Sequence, residues 1–421
     1  MKLFYATVDE YPPFRVDVVQ LFGVFVASRG VKIDWWMRPN VAAKRGVVTG
    51  EFGQRYWVSW RPKASGLVGL VTRATSAALH LIGGLARALS GDYEIIQVRD
   101  LPFSALFYLV IAMIARRRFV YWMSFPMLEG RRARLSDPAF RRRRLKAFAV
   151  RLYVMVATPI LYRVVLKCAD HVFVQSEEMK SNIAAKGIPE ELLTAVPMGV
   201  NVELYNPEAI AQASVAEARD RKVLCYVGAI EAVRRPELLI ETLALVKRAG
   251  FAAILLMIGA PEGREKAELV SAVEFLGLTP DVIWVPFLPL AEALSYVKRA
   301  DICLALYPDC PLLSVGSPTK LVEYLAMGRP VVANDHPDQT RVIWESGAGV
   351  CVPCTAEGFA AGIMNLLRDP GHAAAAGCRG PAWVRRHRSY AQLAENVALV
   401  YQQMTKSETY GKNPPKRQAV N

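Results

Sequence analysis

The chain has few histidines and few cysteines, and neither kind is clustered. Five His residues scattered over 421 positions make no zinc-ligand spacing. Seven Cys residues at irregular intervals offer no disulfide framework and suit a reducing cytoplasm. Cys351 and Cys354 form a Cys-x-x-Cys, but Pro353 lies inside it and no second pair accompanies it, so no metal is expected. The opening stretch, MKLFYATVDEYPPF, lacks a signal-type apolar core because acids and two prolines arrive too early. The longest apolar run, Leu101 to Ala115, falls short of the roughly twenty residues that span a bilayer. No transmembrane helix is expected, and no repeat of about 20–50 residues is present.

What is present is apolar residue and basic charge. A hydrophobic fraction of 53% with 21% charged residues excludes a disordered chain, and 421 residues exceed one ordinary core. The 52 Lys and Arg against 38 Asp and Glu leave a net charge of +14. Much of that excess is local. Between Arg116 and Arg151 twelve basic residues face only Glu129 and Asp137. Within RRRRLKAFAVRLYVMVATPILYRVV (141–165), Leu145, Phe148, Leu152 and Met155 recur along one helical stripe, while Arg141, Arg144 and Arg151 share another face. A basic face beside an apolar one describes a helix lying in a membrane interface, with Arg142, Arg143 and Lys146 in the same patch. The alternative is a solvated helix whose stripe is core. A nucleic-acid partner would need the same charge, but no base-reading motif accompanies it. Trp57 and Trp60, with Arg55, Arg61 and Lys63, form a second candidate interfacial loop.

The second half alternates buried-type strands with helix-period segments: VLCYVGAI (223–230), AAILLMIGA, VIWVPF (282–287), DICLALYP (301–308) and PVVAND (330–335). Such alternation predicts a parallel sheet in a Rossmann-like domain. In the first half KLFYATV, KIDWWMRP, DYEIIQVRD, RFVYWMSFP and HVFVQS read as strands, with helices near 14–29, 65–90, 102–116 and 139–168. The expectation is α/β: two Rossmann-like domains, 1–205 and 206–385, with parallel sheets facing a deep cleft between them. A helix over 386–405 is expected to pack back on the first domain, ahead of a flexible tail over 406–421.

One stretch departs from ordinary packing. In GSPTKLVEYLAMGRPVVAND (316–335), Ser317 is a preferred N-cap, Pro318 suits the first helical position and Gly328 suits the stop, giving a helix of about ten residues. A loop with Gly316 at the carboxyl end of a parallel strand aims free N–H groups and a positive helix end outward. Lys320 adds a cation to the first turn and Glu323 lies one turn along. A cation with a helix end suits a diphosphate, and a carboxylate beyond them suits a sugar hydroxyl pair. The alternative is a capped surface helix with an ion pair between Lys320 and Glu323, contributing under about 1 kcal/mol.

The stretch SPTKLVEYLAMGRPVVA resembles the SPxKxxEYxAxGxPVV signature of family 4 glycosyltransferases, retaining enzymes of the two-Rossmann GT-B fold. YVGAIEAVRRPELLIE (226–241) is similar to the first strand, loop and helix of their donor domain. VFVQSEEMKSNIAAKGI with VPMGVNVELYNP (172–207) is similar to the end of their acceptor domain and its linker. The resemblance implies a nucleotide-sugar donor held mostly by the C-terminal domain, with Glu323 on the ribose and Arg234 on the diphosphate. It places Gly228, Gly316, Ser317, Pro318, Thr319 and Lys320 around the phosphates, and the backbone of Phe287 and Leu288 at the base. By their side chains, Phe287 and Leu288 read as packing residues, and Arg235 as a solvated neighbour of Arg234.

Two positions depart from the family pattern. Many members carry a Glu eight residues before the ribose-binding one, where this chain has Val315. A His often ends the fourth acceptor-domain strand, where this chain has Ser124. The chain also has no Asp-x-Asp, so charge on the leaving diphosphate falls to Arg234, Lys320 and the helix end, with no cofactor or metal expected. The implied function is metal-independent transfer, with retention, from a nucleotide sugar to a polyprenyl-diphosphate-linked saccharide, as in bacterial exopolysaccharide or cell-envelope assembly. The protein would work in the cytoplasm on the inner face of the membrane, with no nucleic-acid partner. Tyr11, Arg15, Trp122, Ser124 and Glu129 are acceptor-site candidates at strand ends and adjoining loops. A nucleotide-sugar epimerase on the same architecture and a non-catalytic polysaccharide-assembly subunit remain alternatives.

Overall fold

The computed structural model describes the chain except residues 41–45, 60–62, 64, 260–262, 309, 311 and 407–421. Trp60, Arg61 and the tail therefore lie outside the described residues. The chain forms two compact units, one of Met1–Val196 with the chain from Leu393 onward, the other of Pro197–Gln392. The expected boundaries at 205 and 385 fall inside the second unit.

The first unit is built on eight strands: β1 (Lys2–Glu10), β2 (Lys32–Arg38), β3 (Gly46–Thr49), β4 (Arg55–Val58), β5 (Ile95–Arg99), β6 (Arg118–Met123), β7 (His171–Val174) and β8 (Leu193–Ala195). Their order is β3-β4-β2-β1-β5-β6-β7-β8. All neighbours are parallel except β3 and β4. Central strands such as β6, RFVYWM, are buried over nearly their whole length, which is why they read as near-continuous apolar runs. The short strands β3, β4 and β8 are absent from the sequence reading. Each has only three or four residues, and β3 is exposed along its whole length, so burial imposes no pattern on it. Trp57 thus sits in a strand, with the Arg87 guanidinium 4.0 Å from its ring centre, and not in an interfacial loop. The C-terminal helix Tyr390–Lys406 joins this unit from Leu393. Its Tyr401 hydroxyl donates to buried Gln97, and Arg118 donates to the Met404 carbonyl at 3.0 Å.

The expected helix over 139–168 is broken. A short turn, Pro138–Arg141, precedes a helix that starts at Arg144 and runs to Cys168, wound more widely over Ile160–Val165. Arg142 and Arg143 therefore lie outside it, and Arg141 does not share its face. At 25 residues, with mean hydropathy 1.6, Arg144–Cys168 is long and apolar enough to cross a membrane, unlike anything expected from the sequence. Its second half packs into the unit through Leu161, Val165 and Leu166, whereas Leu145, Phe148, Leu152 and Met155 are 86%, 66%, 46% and 64% exposed. The stripe is not core.

The second unit carries six parallel strands: β9 (Lys222–Val227), β10 (Ala253–Ile258), β11 (Val282–Val285), β12 (Ile302–Ala305), β13 (Val331–Asn334) and β14 (Gly349–Val352). The order is β11-β10-β9-β12-β13-β14. Alternate residues of β10 feed opposite cores: Ile254, Leu256 and Ile258 pack on one face, Leu255 and Met257 on the other. Each such fully buried side chain contributes about 1.5–3 kcal/mol. Strand order reverses between β9 and β12, since β9 leads outward to β10 and the chain returns to place β12 on its other side. Open α/β sheets bind ligands at the carboxyl ends of strands flanking such a switch point.

Candidate functional site

Gly228 follows β9 and the SPTK loop follows β12, so both sit at the switch point. Gly228 has φ of +139°, a region that favours glycine, and a Cβ there would stand 3.5 Å from Lys320 Nζ. The helix begins later than its capping residues suggest. It spans Thr319–Ala326, with Pro318 at the N-cap and Gly328, φ +67°, beyond its end. Ser317 is not the cap because its hydroxyl has other partners. It donates to Asp338 at 2.8 Å and accepts from the Met198 amide at 3.1 Å and from Arg388 at 3.0 Å. Neither Asp338 nor Arg388 is legible as a site residue in the sequence, since they lie far from the loop they hold.

Lys320 does not pair with Glu323 on a solvated surface. Its ammonium lies 3.8 Å from the Tyr226 ring centre and 3.4 Å from the Leu306 carbonyl, and the residue is 9% exposed. Burial, then the nearby charge of Arg234, pushes its pKa well below the ordinary lysine value, with Glu323 opposing. Glu323 accepts from the Tyr205 hydroxyl at 2.9 Å. Burial raises its carboxyl above the ordinary glutamate value although Tyr205 and Lys320 pull the other way. Arg234 ends a short helical turn, Ala232–Arg234, with its guanidinium 4.9 Å from the Tyr307 ring centre. Tyr307 also crowds Gly316, where a Cβ would come within 2.9 Å of the tyrosine hydroxyl. Arg235 points to a separate, exposed partner, Glu237, at 3.7 Å.

Two cations thus stand on aromatic faces near the start of the Thr319–Ala326 helix, with a carboxylate one turn behind. Of the base-contact candidates, Leu288 packs against the core, but Phe287 is 89% exposed and is not a packing residue. Val315 is buried and cannot supply a carboxylate. Among the described residues no cluster of three or more His, Cys, Asp or Glu is placed to hold a metal ion.

The acceptor candidates of the first unit scatter. Arg15 lines a hollow of about 690 Å³. Glu129 lines a different one with Tyr162 and Lys186, bonded to them at 2.7 and 2.9 Å. Trp122 and Ser124 are buried. Trp122 donates to Asp17 at 3.0 Å, and Ser124 donates to Asp100 from its hydroxyl and, at 3.0 Å, from its amide. Tyr11 packs on Tyr56 with ring centres 5.4 Å apart. Behind these residues Arg99, fully buried, meets Asp9 and Asp17 at 2.9 Å each and Asp100 at 3.4 Å.

Residues 208–383 match the family model described as glycosyl transferases group 1. This segment is a group 1 glycosyl transferase domain. Among curated relatives, the D-inositol 3-phosphate glycosyltransferase of Segniliparus rotundus is 27% identical over 214 residues, 50% of this chain and 46% of that protein. The amylovoran biosynthesis glycosyltransferase AmsK of Erwinia amylovora is 29% identical over 231 residues, 51% of this chain and 52% of that one. The chain spans about half the length of the curated relatives it matches. The crystal structure of Anabaena Alr3699/HepE in complex with UDP superimposes with a TM-score of 0.66 at 14% identity, covering 96% of this chain and all of that one. That likeness shows the fold, GT-B, built of two Rossmann-like units. The group 1 domain coincides with the unit that carries Arg234, Lys320 and Glu323.

Proposed function

We propose that this chain is a glycosyltransferase that moves a sugar from a nucleoside-diphosphate donor to a lipid-linked saccharide at a membrane surface. The observation that carries the donor half is the convergence of Lys320, Arg234 and the 316–319 loop on the switch point between β9 and β12. The relatives' names, and the UDP complex of the Anabaena protein, support a nucleotide-sugar donor. In this reading Lys320, Arg234 and the amides at the helix start receive the diphosphate, and Glu323 receives the ribose. Cations fixed beside the leaving oxygen stabilise its charge as the glycosidic bond breaks, and they need no reorganisation at that moment. Retention follows if the acceptor attacks from the face that the diphosphate leaves, the departing phosphate taking the acceptor's proton; no metal or protein base is then required.

The membrane half is supported by the exposed stripe of Leu145, Phe148, Leu152 and Met155 beside Arg141–Arg144, Lys146 and Arg151, all exposed. Such a surface suits an anionic leaflet, each Lys or Arg near it contributing about 1 kcal/mol. The protein would then work on the cytoplasmic face of the cell membrane. Thermal-shift titration with UDP-, GDP- and dTDP-sugars, followed by assay of transfer to a lipid extract, tests the reading. Stabilisation by one nucleotide class, abolished in Lys320→Ala, is expected. Binding without transfer or hydrolysis would favour a non-catalytic subunit, and an altered sugar released without acceptor would favour an epimerase.

A further inference from the structure

Three helices of the first unit turn apolar stripes away from it. In the Gly66–Ser90 helix, Val68, Val71, Leu79, Ile82 and Leu89 lie along one side and are all exposed, Leu79 by 70% and Ile82 by 62%. The opposite side meets the unit: the Trp36 indole donates to the His80 carbonyl at 3.1 Å, and a Cβ on Gly84 would strike Trp36 and the Tyr108 hydroxyl. The Ser104–Ile114 helix repeats the arrangement. Ala105, Tyr108, Leu109 and Ala112 are buried, while Phe107, Val110 and Ile114 are exposed. This helix packs against the first one and also against Ile160–Val165. The latter is the widened turn of the helix that carries Leu145, Phe148, Leu152 and Met155. The three stripes therefore adjoin.

Their charge is one-sided. Residues 66–90, 104–118 and 144–168 contain no Asp or Glu, against Arg73, Arg87, Arg116–Arg118 and five basic residues from Arg144 onward. Arg87 and Arg117 are held within the unit, Arg87 on the Trp57 ring and Arg117 on carbonyls at the end of the Gly66–Ser90 helix. Arg73, Arg116, Arg144, Lys146 and Arg151 are exposed. Monomeric soluble proteins rarely expose apolar surface that continues over several elements. A second copy docking through the same face would set these cations against their like, with no carboxylate on the helices to pair them. An anionic lipid surface meets both properties at once, hydrocarbon for the stripes and negative headgroups for the cations.

We propose that the three stripes act as one plate that enters the interface of an anionic bilayer, so that the Gly66–Ser90 and Ser104–Ile114 helices meet lipid as well as the helix from Arg144. The inference rests on the membrane reading above, which assigns the contact to the Arg144 helix and its arginines alone, and extends it across the layer. One amphipathic helix can roll about its long axis on a surface, whereas three adjoining helices define a plane. The plate therefore fixes which side of the first unit faces lipid: the helix layer that packs on β5 and β6.

The test is sedimentation of the full chain with vesicles of mixed neutral and anionic phospholipid. Leu79→Gln with Ile82→Gln, and separately Val110→Gln with Ile114→Gln, keep the charge and each remove two exposed apolar side chains. Each pair is expected to lower vesicle partitioning at least about tenfold, because less apolar area leaves water, and added salt should not reproduce that loss. Phe275→Gln, at a position 89% exposed on the second unit, should bind as wild type. Melting temperatures at the wild-type value check that the variants are folded. Either pair partitioning as wild type, while Phe148→Asp is released, overturns the plate and leaves the Arg144 helix as the membrane contact. Wild-type protein that stays in the supernatant overturns the membrane reading and the plate together. Lipid-free dimers in sedimentation velocity that the same pairs dissociate would make the face a contact between copies, and also overturn the proposal.

Discussion

Arg388 closes a 2.6 Å ion pair with Asp338, and both side chains are almost wholly buried. Between them they hold the Ser317 hydroxyl, and Arg388 also donates to the Met198 carbonyl at 3.2 Å. The loop that opens the Lys320 helix is therefore fixed by groups 21 and 71 residues away in sequence.

Removing one member leaves a buried charge without its partner. Arg388→Ala or Asp338→Asn is expected to destabilise the protein by about 3–5 kcal/mol, read as a lowered urea midpoint. Burial alone would raise the Asp338 carboxyl, but Arg388 and Ser317 hold it below the ordinary aspartate value. Its folded pKa is thus depressed. The stability it contributes is present above the unfolded aspartate value, about 3.9, and is lost as pH falls through the folded value. Arg388→Ala should flatten that acid limb. A midpoint within experimental error of wild type would show that the pair does not hold the loop.

Arg234 and Arg235 are adjacent, yet the structure separates them. Arg234 lays its guanidinium 4.9 Å from the Tyr307 ring centre at the switch point, and Arg235, with φ of +53°, pairs outside with Glu237. Arg234→Ala is expected to lower turnover by roughly 10²–10³, the scale of losing one charge-stabilising donor, and Lys320→Ala similarly. Arg235→Ala should leave turnover near wild type. Arg234→Lys should rescue little, because a lysine cannot reproduce the planar fork on an aromatic ring. Equal losses at 234 and 235 in steady-state assays would contradict this assignment.

Lys320 predicts a proton linkage. Its folded pKa is depressed by burial and by Arg234, so it loses its proton at a lower pH than an unfolded lysine does, and its own contribution to stability grows with pH up to the unfolded lysine value. A diphosphate placed beside it reverses this, since the anion favours the ammonium. UDP binding should therefore take up protons, and its affinity should fall as pH rises. Titration calorimetry in buffers of different ionisation enthalpy measures the uptake directly. Wild type should show it and Lys320→Ala should not; identical uptake in both would place the titrating group elsewhere.

The sequence made the architecture legible because the central strands of both sheets are parallel and buried, so β6, β9 and β10 carry no alternation to confuse with helix. It made the helix start at Lys320 legible because a loop at a strand's carboxyl end needs small residues and a helix start in one short segment, whereas the family resemblance, and not spacing, points to Gly228 and Glu323. It hid what depends on distant partners. Ser317 looks like a cap until Asp338 and Arg388 claim its hydroxyl. Ser124 and Trp122 look like cleft residues until Asp100 and Asp17 draw them inward. Phe287 looks like packing, yet its side chain is 89% exposed. Periodicity reports which face is apolar, not which face another element covers; the helix from Arg144 has the same stripe whether it is core or exposed.

That stripe carries the last prediction. With Leu145 and Phe148 86% and 66% exposed and four consecutive arginines at 141–144, association with vesicles should need both parts. Sedimentation with vesicles containing anionic phospholipid should pull the protein down, and neutral vesicles should not. Changing Arg142 and Arg143 to Gln removes about 2 kcal/mol of attraction, roughly a thirtyfold loss of partitioning, and added salt should mimic it. Phe148→Asp should weaken binding by a loss that salt does not reproduce, because it removes the exposed ring that would enter the interface. Neither substitution touches a packed side chain, so thermal stability and UDP binding should stay at wild-type levels. Equal sedimentation with neutral and anionic vesicles would remove the electrostatic half of the mechanism. Unchanged binding of Phe148→Asp would show that the helix does not enter the interface.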